Sequence, residues 1–405
     1  MNSWDVFETL VARRYIHPKT VFDEVGRRIN DSTFREKRIA AEKATKKNEG
    51  DYWEIYRQLP KYNPNVELEV ELDHLYPIVE NIKQVNDGDL ILSDMYLPAD
   101  FIMRVLRKCG LTADVDIIVT RYGKKKGYIW DQVKQRNIKN HYGDNPHSDV
   151  ASAQAHGVNG ILDTKHKLTK IEEYVYSYDR QLAAWMLYTR LQCPYNGDYK
   201  SFWIDQADIN LPVLVLATLE LPQDKKIAFS YRDCRNWHMI YEAMTGKPGI
   251  RLDVSRKTWL EPTAEFDQYI SERVDDNTVI VDLQGRGNSI ESYYKGNPPH
   301  TIYIGGRTRP YIERLTNERT KSLEKHNCLD LSTVIKHDNG VVRSDINDHP
   351  ADIAKVQMAA IDSAIQAVGW FKPKPNKELL SYLVSMMQTK NFTHRNISWE
   401  KYNGL

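Results

Sequence analysis

The segment Gly143–Asp149 reads GDNPHSD and joins a predicted strand to a predicted helix that continues with VASA. Two carboxylates, Asp144 and Asp149, stand five residues apart across this turn. Mg²⁺ prefers oxygen ligands and retains several waters, so one direct and one water-mediated carboxylate are sufficient to bind it. Strand and helix patterns alternate on both sides of the turn, which predicts a doubly wound parallel α/β domain with its site where the strands end.

Three earlier segments supply the other groups that phosphoryl transfer requires. Asp5 follows the first predicted strand, where its carboxylate can attack phosphorus. Ser93 ends the strand that begins at Leu90, and its hydroxyl can hold the transferring group. Lys124 stands three residues before Gly127, and an ammonium there neutralises the nucleophile and the phosphate.

Each of these residues also has an ordinary structural explanation. Asp5 is as typical of a turn or a helix cap as of a nucleophile, and Ser93 is typical of a strand end. Lys125 or Lys126 could replace Lys124, because a run of three lysines is usually a solvated loop. The order of the four segments favours catalysis more strongly than any one of them.

In this order the four segments resemble the haloacid dehalogenase (HAD) superfamily, whose members are mostly phosphatases. The resemblance implies a Rossmann-like domain over residues 1–168 with a helical cap at about 14–82. It also implies an aspartyl-phosphate mechanism with Mg²⁺ as cofactor. The implied catalytic residues are Asp5, Ser93, Lys124 and Glu8, and the implied metal ligands are Asp5, the Phe7 carbonyl, Asp144 and Asp149.

One position departs from the HAD pattern. HAD phosphatases usually carry a second aspartate two residues after the nucleophile, as general acid for the leaving group. Phe7 stands there in this chain, as in a group of polysaccharide-locus HAD proteins. Glu8 is the candidate that could reach the leaving oxygen instead, and an activated leaving group or a water are the alternatives.

A second constellation follows the predicted connecting helices of residues 169–224. A strand ending in Asp282 leads into a glycine-rich segment, Gly285–Ser289, and then a helix, which has the form of a phosphate cradle. Arg232 ends an earlier strand and could hold pyrophosphate through bidentate contacts. The alternative is an ordinary tight turn in a second Rossmann-like sheet.

Over residues 1–310 the chain resembles proteins of capsule and O-antigen loci that fuse a HAD-type phosphatase to a phosphoribosyltransferase-like glycosyltransferase. The resemblance implies that phosphoribosyl pyrophosphate (PRPP) donates ribose 5-phosphate to a saccharide acceptor on a lipid-linked glycan. The phosphatase then removes the 5-phosphate and leaves a ribofuranosyl residue. The implied PRPP-binding residues are Arg232, Asp233, Arg256, Asp282, Gly285, Arg286, Gly287, Asn288 and Ser289.

The resemblance therefore predicts a second α/β domain at 225–345 and a helical segment at 346–405. Two other functions stay open. One is a HAD phosphatase acting on a small phosphorylated sugar or nucleotide, with a C-terminal domain that only binds. The other is a non-enzymatic HAD scaffold, for which Phe7 is the sole argument.

The composition limits these functions further. A chain of 405 residues with 41% hydrophobic and 27% charged residues fits two or three folded domains. A net charge of +1 gives no reason to expect nucleic acid as a partner. The longest apolar stretch, Leu211–Leu219, is about half the length of a membrane-spanning helix. We expect a cytoplasmic enzyme without signal peptide or integral membrane segment; peripheral attachment to the inner membrane and a homo-oligomeric state stay open.

Overall fold

The computed structural model describes residues 1–306, 311–316, 333–338, 341–346 and 352–389. Contacts within the chain divide it into two compact units, Met1–Thr169 and Lys170–Leu405. Each unit contains a five-stranded parallel sheet, so the predicted α/β class is confirmed. Parts of two predicted domains lie outside the described residues: 307–310, 317–332 and 339–340 of the second α/β domain, and 347–351 and 390–405 of the helical segment.

The first unit contains seven strands in its described residues: β1 (Asn2–Trp4), β2 (Val11–Arg13), β3 (Leu75–Pro77), β4 (Leu90–Asp94), β5 (Asp116–Thr120), β6 (Asn140–Gly143) and β7 (Asn159–Leu162). Five of them form a parallel sheet with the order β5-β4-β1-β6-β7. The other two, β2 and β3, form a short antiparallel pair.

The first strand lies in the middle of this sheet. Trp4 pairs with Ile91 of β4 on one side and with Tyr142 of β6 on the other. Residues 90–92 of β4 are all buried, as expected for a central parallel strand covered by helices on both faces. The chain that leaves β1 therefore emerges at the centre of the sheet's carboxyl edge.

Helices fill the connections of the first unit. They are α1 (Thr20–Arg28), α2 (Phe34–Thr45), α3 (Tyr52–Arg57), α4 (Pro64–His74), α5 (Val79–Ile82), α6 (Ala99–Lys108), α7 (Gly123–Lys126), α8 (Trp130–Gln135) and α9 (Ser152–Ala155), with a 3₁₀ turn at Lys46–Asn48 and a π-helical turn at Pro146–Ala151. Helices α1 to α4 form an insert between β2 and β3, in the stretch where the sequence predicts the helical cap.

A buried ion cluster holds the insert together. The guanidinium of Arg38 is fully buried and donates from Nε and Nη2 to the two carboxylate oxygens of Glu67, at 2.7 and 2.9 Å. Tyr56 Oη donates to the same carboxylate at 2.9 Å. Bidentate charged hydrogen bonds of this kind fix direction as well as distance, so they set how α2 lies against α4.

The described strands of the second unit are β8 (Lys226–Ser230), β9 (Ile250–Leu252), β10 (Thr278–Gly285), β11 (Thr301–Gly306), β12 (Ile312–Arg314), β13 (Thr333–Asp338) and β14 (Val341–Ile346). Five of them form a sheet with the order β12-β11-β10-β8-β9, and β13 and β14 form a separate antiparallel hairpin. The described helices are α10 (Lys170–Tyr178), α11 (Arg180–Leu191), α12 (Gly197–Asp205), α13 (Leu211–Leu219), α14 (Tyr231–Thr245), α15 (Arg256–Leu260), α16 (Ala264–Ser271), α17 (Asn288–Tyr293), α18 (Asp352–Val368) and α19 (Lys377–Thr389).

Helices α12 and α13 join through a π-helical turn, Gln206–Asn210, into one 23-residue helix. By length and composition this is the one helix in the described chain that could cross a membrane. Its most apolar window is 89% buried within the protein, as in a core helix. The predicted absence of a clear integral membrane segment agrees with this packing.

Gly160 of β7 allows a close approach of two backbones. A Cβ at this position would lie 2.6 Å from Val150 Cα and 2.7 Å from the carbonyl oxygen of Asp149. We expect Gly160→Ala to lower the free energy of unfolding by about 1–3 kcal/mol, as overpacking does. Urea denaturation followed by circular dichroism measures the loss.

Gly369→Ala is the control, because a Cβ there meets nothing within 4 Å. It should change the unfolding free energy by less than about 0.5 kcal/mol. Equal stability of the two variants would show that the β7 backbone can move away without cost.

Candidate active site

Asp5 lies at the carboxyl end of β1, where the chain turns sharply. Its backbone N–H donates to the Tyr142 carbonyl at 2.8 Å, which extends the pairing of β1 with β6 by one residue. The N–H groups of Leu10 and Val11 then both donate to the Val6 carbonyl, so the chain reverses into β2. This turn leaves the Asp5 carboxylate buried at the centre of the carboxyl edge.

Lys124 is the lysine that reaches Asp5. Its side chain is 2% exposed, and Nζ donates to Asp5 Oδ1 and lies 2.7 Å from Asp149 Oδ1. Lys125 is exposed to solvent, and Lys126 pairs with Glu49 of the insert. The geometry thus separates three lysines that the sequence leaves equivalent.

Asp94 fixes the turn that carries Lys124. Its Oδ1 accepts hydrogen bonds from the Lys124 N–H at 3.0 Å and from Thr120 Oγ1, and its Oδ2 accepts from the Lys125 N–H at 3.2 Å. Ser93, the residue before it, is buried on β4 beside β1. Sequence reasoning singled out Ser93 and missed Asp94, because its partners lie some 30 residues away in sequence.

Asp149 is held in place by the π-helical turn. The Asn145 N–H donates to Asp149 Oδ2 at 2.9 Å, while Asn145 Oδ1 accepts from the N–H groups of His147 and Ser148. A Cβ at Gly143 would lie 2.4 Å from Asp149 Cγ, so the carboxylate occupies the space that a side chain there would need. The glycine of the GDNPHSD motif is therefore required for the position of its last aspartate.

His141 is a site residue that the sequence did not reveal. Its Nδ1 lies 2.8 Å from Ser3 Oγ and its Nε2 lies 3.4 Å from Asp149 Oδ1. The ring is fully buried and packs edge-on against Trp130. The one available signal was its place on the strand that runs into the motif, two residues before Gly143.

Asp5, Asp144 and Asp149 form a cluster of carboxylates. One oxygen of each lies within 4.8 Å of the others, and Lys124 is the cation that contacts two of them. The pKa of Asp5 is raised to about 8. Burial is the main cause, the charges of Asp149 and Asp144 act in the same direction, and the nearby Lys124 ammonium opposes them. One ammonium offsets only part of the charge that the three carboxylates carry when ionised, and an oxygen-only donor set of this kind could hold a metal ion.

Asp144 lies at the more open side of the cluster. Burial raises its pKa to about 7, with additional contributions from Glu8 and Asp149. His166, from the loop after β7, lies with Nε2 4.0 Å from Asp144 Oδ2. His166 was not predicted, since it lies in a segment without any motif.

The carboxylate of Glu8 is held by an arginine. Arg13 Nη1 donates to Glu8 Oε1 at 2.7 Å, and Arg13 Nε lies 3.6 Å from Glu71 of the insert. The same guanidinium stacks over the Phe7 ring, 4.4 Å from its centroid. Glu8 has a positive φ of 61°, so the turn after β1 is closed at a residue that rarely adopts this conformation. The roles of Glu8 and of the Phe7 carbonyl stay predictions.

In the second unit the predicted phosphate contacts lie around a point where the strand order reverses. Strand β9 lies on one side of β8 and β10 lies on the other. Open α/β sheets bind ligands beyond the carboxyl ends of the strands at such a point. Arg232 and Asp233 lie there in the first turn of α14, partly exposed, with Arg232 Nε 3.6 Å from Asp233 Oδ1.

The predicted glycine loop is shorter than expected. Strand β10 continues to Gly285, and α17 begins at Asn288, so Arg286 and Gly287 alone connect them. Asp282 consequently lies inside the strand, three residues before its end, and Ser289 lies in the first turn of α17.

The requirement for glycine at position 287 is explained by packing. Gly287 has a φ of 73°, and a Cβ on it would lie 2.1 Å from Ile312 Cδ1 of β12. A side chain at this position would therefore meet Ile312. Gly285 also stands in a crowded position, since a Cβ on it would lie 3.1 Å from Tyr303 Cε2.

The segment before Arg256 is a helix cap. Ser255 Oγ accepts from the Thr258 N–H at 3.2 Å, and Thr258 Oγ1 accepts from the Ser255 N–H at 2.9 Å. This reciprocal pair is a capping box, which accounts for the serine without a ligand. Arg256 begins α15 and is exposed to solvent.

No protein-family model matches this chain, and no curated protein is significantly similar to it.

Proposed function

We propose that the first unit is a phosphomonoester hydrolase that works through a phosphoaspartate at Asp5. The observation that carries this proposal is the contact of Lys124 Nζ with Asp5 and Asp149, in a cluster that includes Asp144. A nucleophilic carboxylate, a fixed ammonium and further oxygen ligands at one sheet edge are the groups that such a reaction requires.

The reaction has two steps. An Asp5 carboxylate oxygen attacks phosphorus, the bond to the ester oxygen breaks, and the alkoxide leaves with a proton from solvent or a nearby donor. Water then attacks the phosphoaspartate, which releases phosphate and restores Asp5. Lys124 offsets negative charge in both steps, because it is buried beside the nucleophile and its ammonium is fixed by two carboxylates.

Mg²⁺ is the proposed cofactor, held by Asp5, Asp144 and Asp149. When bound, it would neutralise charge on the phosphoryl oxygens. Asp149 is positioned for this role by His141, Asn145 and the absence of a side chain at Gly143. The Phe7 carbonyl is the further ligand that the HAD resemblance implies.

Asp5→Asn should abolish phosphate release while the protein stays folded. We expect the rate with p-nitrophenyl phosphate to fall by at least about a thousandfold, as for other nucleophiles that act within a catalytic unit. Asp116→Asn is the control, because Asp116 is exposed on β5 and pairs with Arg136. Phosphate release near the wild-type rate in Asp5→Asn would show that Asp5 is not the nucleophile.

Asp144→Asn tests the metal site separately. It should weaken Mg²⁺ binding by at least about tenfold, since it removes one charged ligand from the cluster. Titration calorimetry of the protein with MgCl₂ measures the affinity, and hydrolysis should stop in excess chelator and return with Mg²⁺. Full activity in chelator would contradict the metal requirement.

A second candidate function is phosphoribosyl transfer by the second unit, followed by dephosphorylation in the first. The observation that favours it is the reversal of strand order between β8 and β10, with Arg232, Asp233 and Asp282 at or near the carboxyl ends of those strands. In this proposal a hydroxyl of a saccharide acceptor displaces pyrophosphate from PRPP. The 5-phosphate of the product is then the ester that the Asp5 site hydrolyses.

Asp282→Asn should weaken PRPP binding in calorimetry by at least about tenfold, through loss of contacts with the ribose hydroxyls. Asp275→Asn is a matched control, because Asp275 precedes β10 at the opposite edge of the same sheet. If PRPP binds both variants as it binds the wild type, the second unit does not use this edge for PRPP. The simpler hydrolase, acting on a small phosphate ester, then remains.

A further inference from the structure

One segment of the insert, residues 42–52, contacts core loops that carry catalytic groups. We refer to it as the anchor segment. Its contacts are those of Arg121 Nη1 with the Gly50 carbonyl, Arg121 Nη2 with Glu42 Oε1 at 3.8 Å, the Tyr52 N–H with the Tyr96 carbonyl at 2.9 Å, Lys126 Nζ with Glu49 Oε1, and Tyr128 Oη with Glu49 Oε2 at 3.1 Å.

Two residues that make these contacts, Arg121 and Lys126, lie on either side of Lys124. Arg121 is three residues before it and Lys126 is two residues after it. The backbone between them makes a single short helix, α7, which is followed by Gly127 with a φ of 89°. A turn this short cannot move at one end without moving Lys124, so the anchor segment and the lysine are mechanically linked.

The two attachments differ in strength. The Lys126–Glu49 pair is exposed, with 55% and 34% of the two side chains accessible, and exposed pairs of this kind contribute little. The Arg121 side chain is 6% exposed and donates a charged hydrogen bond to a backbone carbonyl. Charged hydrogen bonds in buried surroundings are the stronger class, so Arg121 ties the lysine turn to the anchor segment more firmly than Lys126 does.

We propose that Arg121 is a positioning residue that couples the insert to Lys124, so that the lysine contacts Asp5 only while the insert is seated on the core. This inference rests on the proposed hydrolase function of the same site. It implies that any ligand that moves the insert also changes the charge balance at the nucleophile. The competing possibility is that Asp94 alone, through the Lys124 and Lys125 N–H groups, keeps the lysine in place from the core side.

Chemical labelling of Lys124 tests the coupling without any activity assay. Lys124 is the buried lysine of the described chain, so acetic anhydride should modify it slowly in the wild type. In Arg121→Met its modification, measured by peptide mass spectrometry, should rise on the order of tenfold as the turn opens locally. In Arg121→Lys, which retains a cation able to reach the Gly50 carbonyl, labelling should return towards the wild-type rate.

Two controls separate coupling from unfolding. Arg136→Met removes an exposed arginine of the same unit and should leave Lys124 protected. Glu42→Gln keeps Arg121 but weakens its ion pair, together with the contact that Glu42 makes with Arg38, and should give a smaller increase in a protein with a normal unfolding transition. If Lys124 stays protected in folded Arg121→Met, or in Glu42→Gln should the first variant not fold, Asp94 suffices and the proposal is overturned.

Kinetics with p-nitrophenyl phosphate provide the second readout. Arg121→Met should lower kcat by about ten- to a hundredfold, as expected for a misplaced catalytic group, with KM changed by less than about threefold. A loss confined to KM would contradict positioning. If the wild type does not hydrolyse the ester, the proposed function fails, while the labelling result still decides whether the insert controls Lys124.

Discussion

The Lys124 ammonium between Asp5 and Asp149 is the interaction on which the first unit depends. Placing several carboxylates at the buried end of a sheet is costly, and a contact with a fixed cation offsets part of that cost. The surrounding structure serves this contact. The sheet order brings β1, β4 and β6 side by side, so their carboxyl ends present the acidic groups together. Asp94 accepts a hydrogen bond from the Lys124 N–H, and His141 Nε2 contacts the Asp149 carboxylate.

Much of this site could be predicted because its residues follow strands in a fixed order, and parallel strands bring their carboxyl ends to one edge. The choice among three lysines could not, since it depends on which of them a four-residue helix turns inward. Asp94, His141 and His166 could not be found either. Asp94 and His141 have partners far away in sequence, and His166 itself lies outside any motif, so these residues become visible only when the strand order is known.

In the second unit, short sequence motifs do not distinguish a ligand site from ordinary packing. A glycine before a short helix is compatible with an anion cradle and with tight packing, and the sequence pattern is the same for both. At Gly287 the closeness of Ile312 leaves no room for a Cβ, and at Ser255 the capping box explains the serine. The placement of Arg232 and Asp233 near the reversal of strand order is a property of topology rather than of any short motif.

The Arg38–Glu67 pair has a consequence for how the insert can vary. A slip of α2 along α4 by one helical turn, about 5.4 Å, would separate the two charges, leaving Arg38 with its weaker contact to Glu42 and Glu67 with the Tyr56 hydroxyl. Breaking a buried ion pair by removing one partner costs about 3–5 kcal/mol, so the loss of this pair is a substantial penalty for any other alignment. The pair therefore fixes the register of α2 against α4. Because the alignment of the two helices is set by these charges, the apolar side chains around them can change in size and shape without altering it.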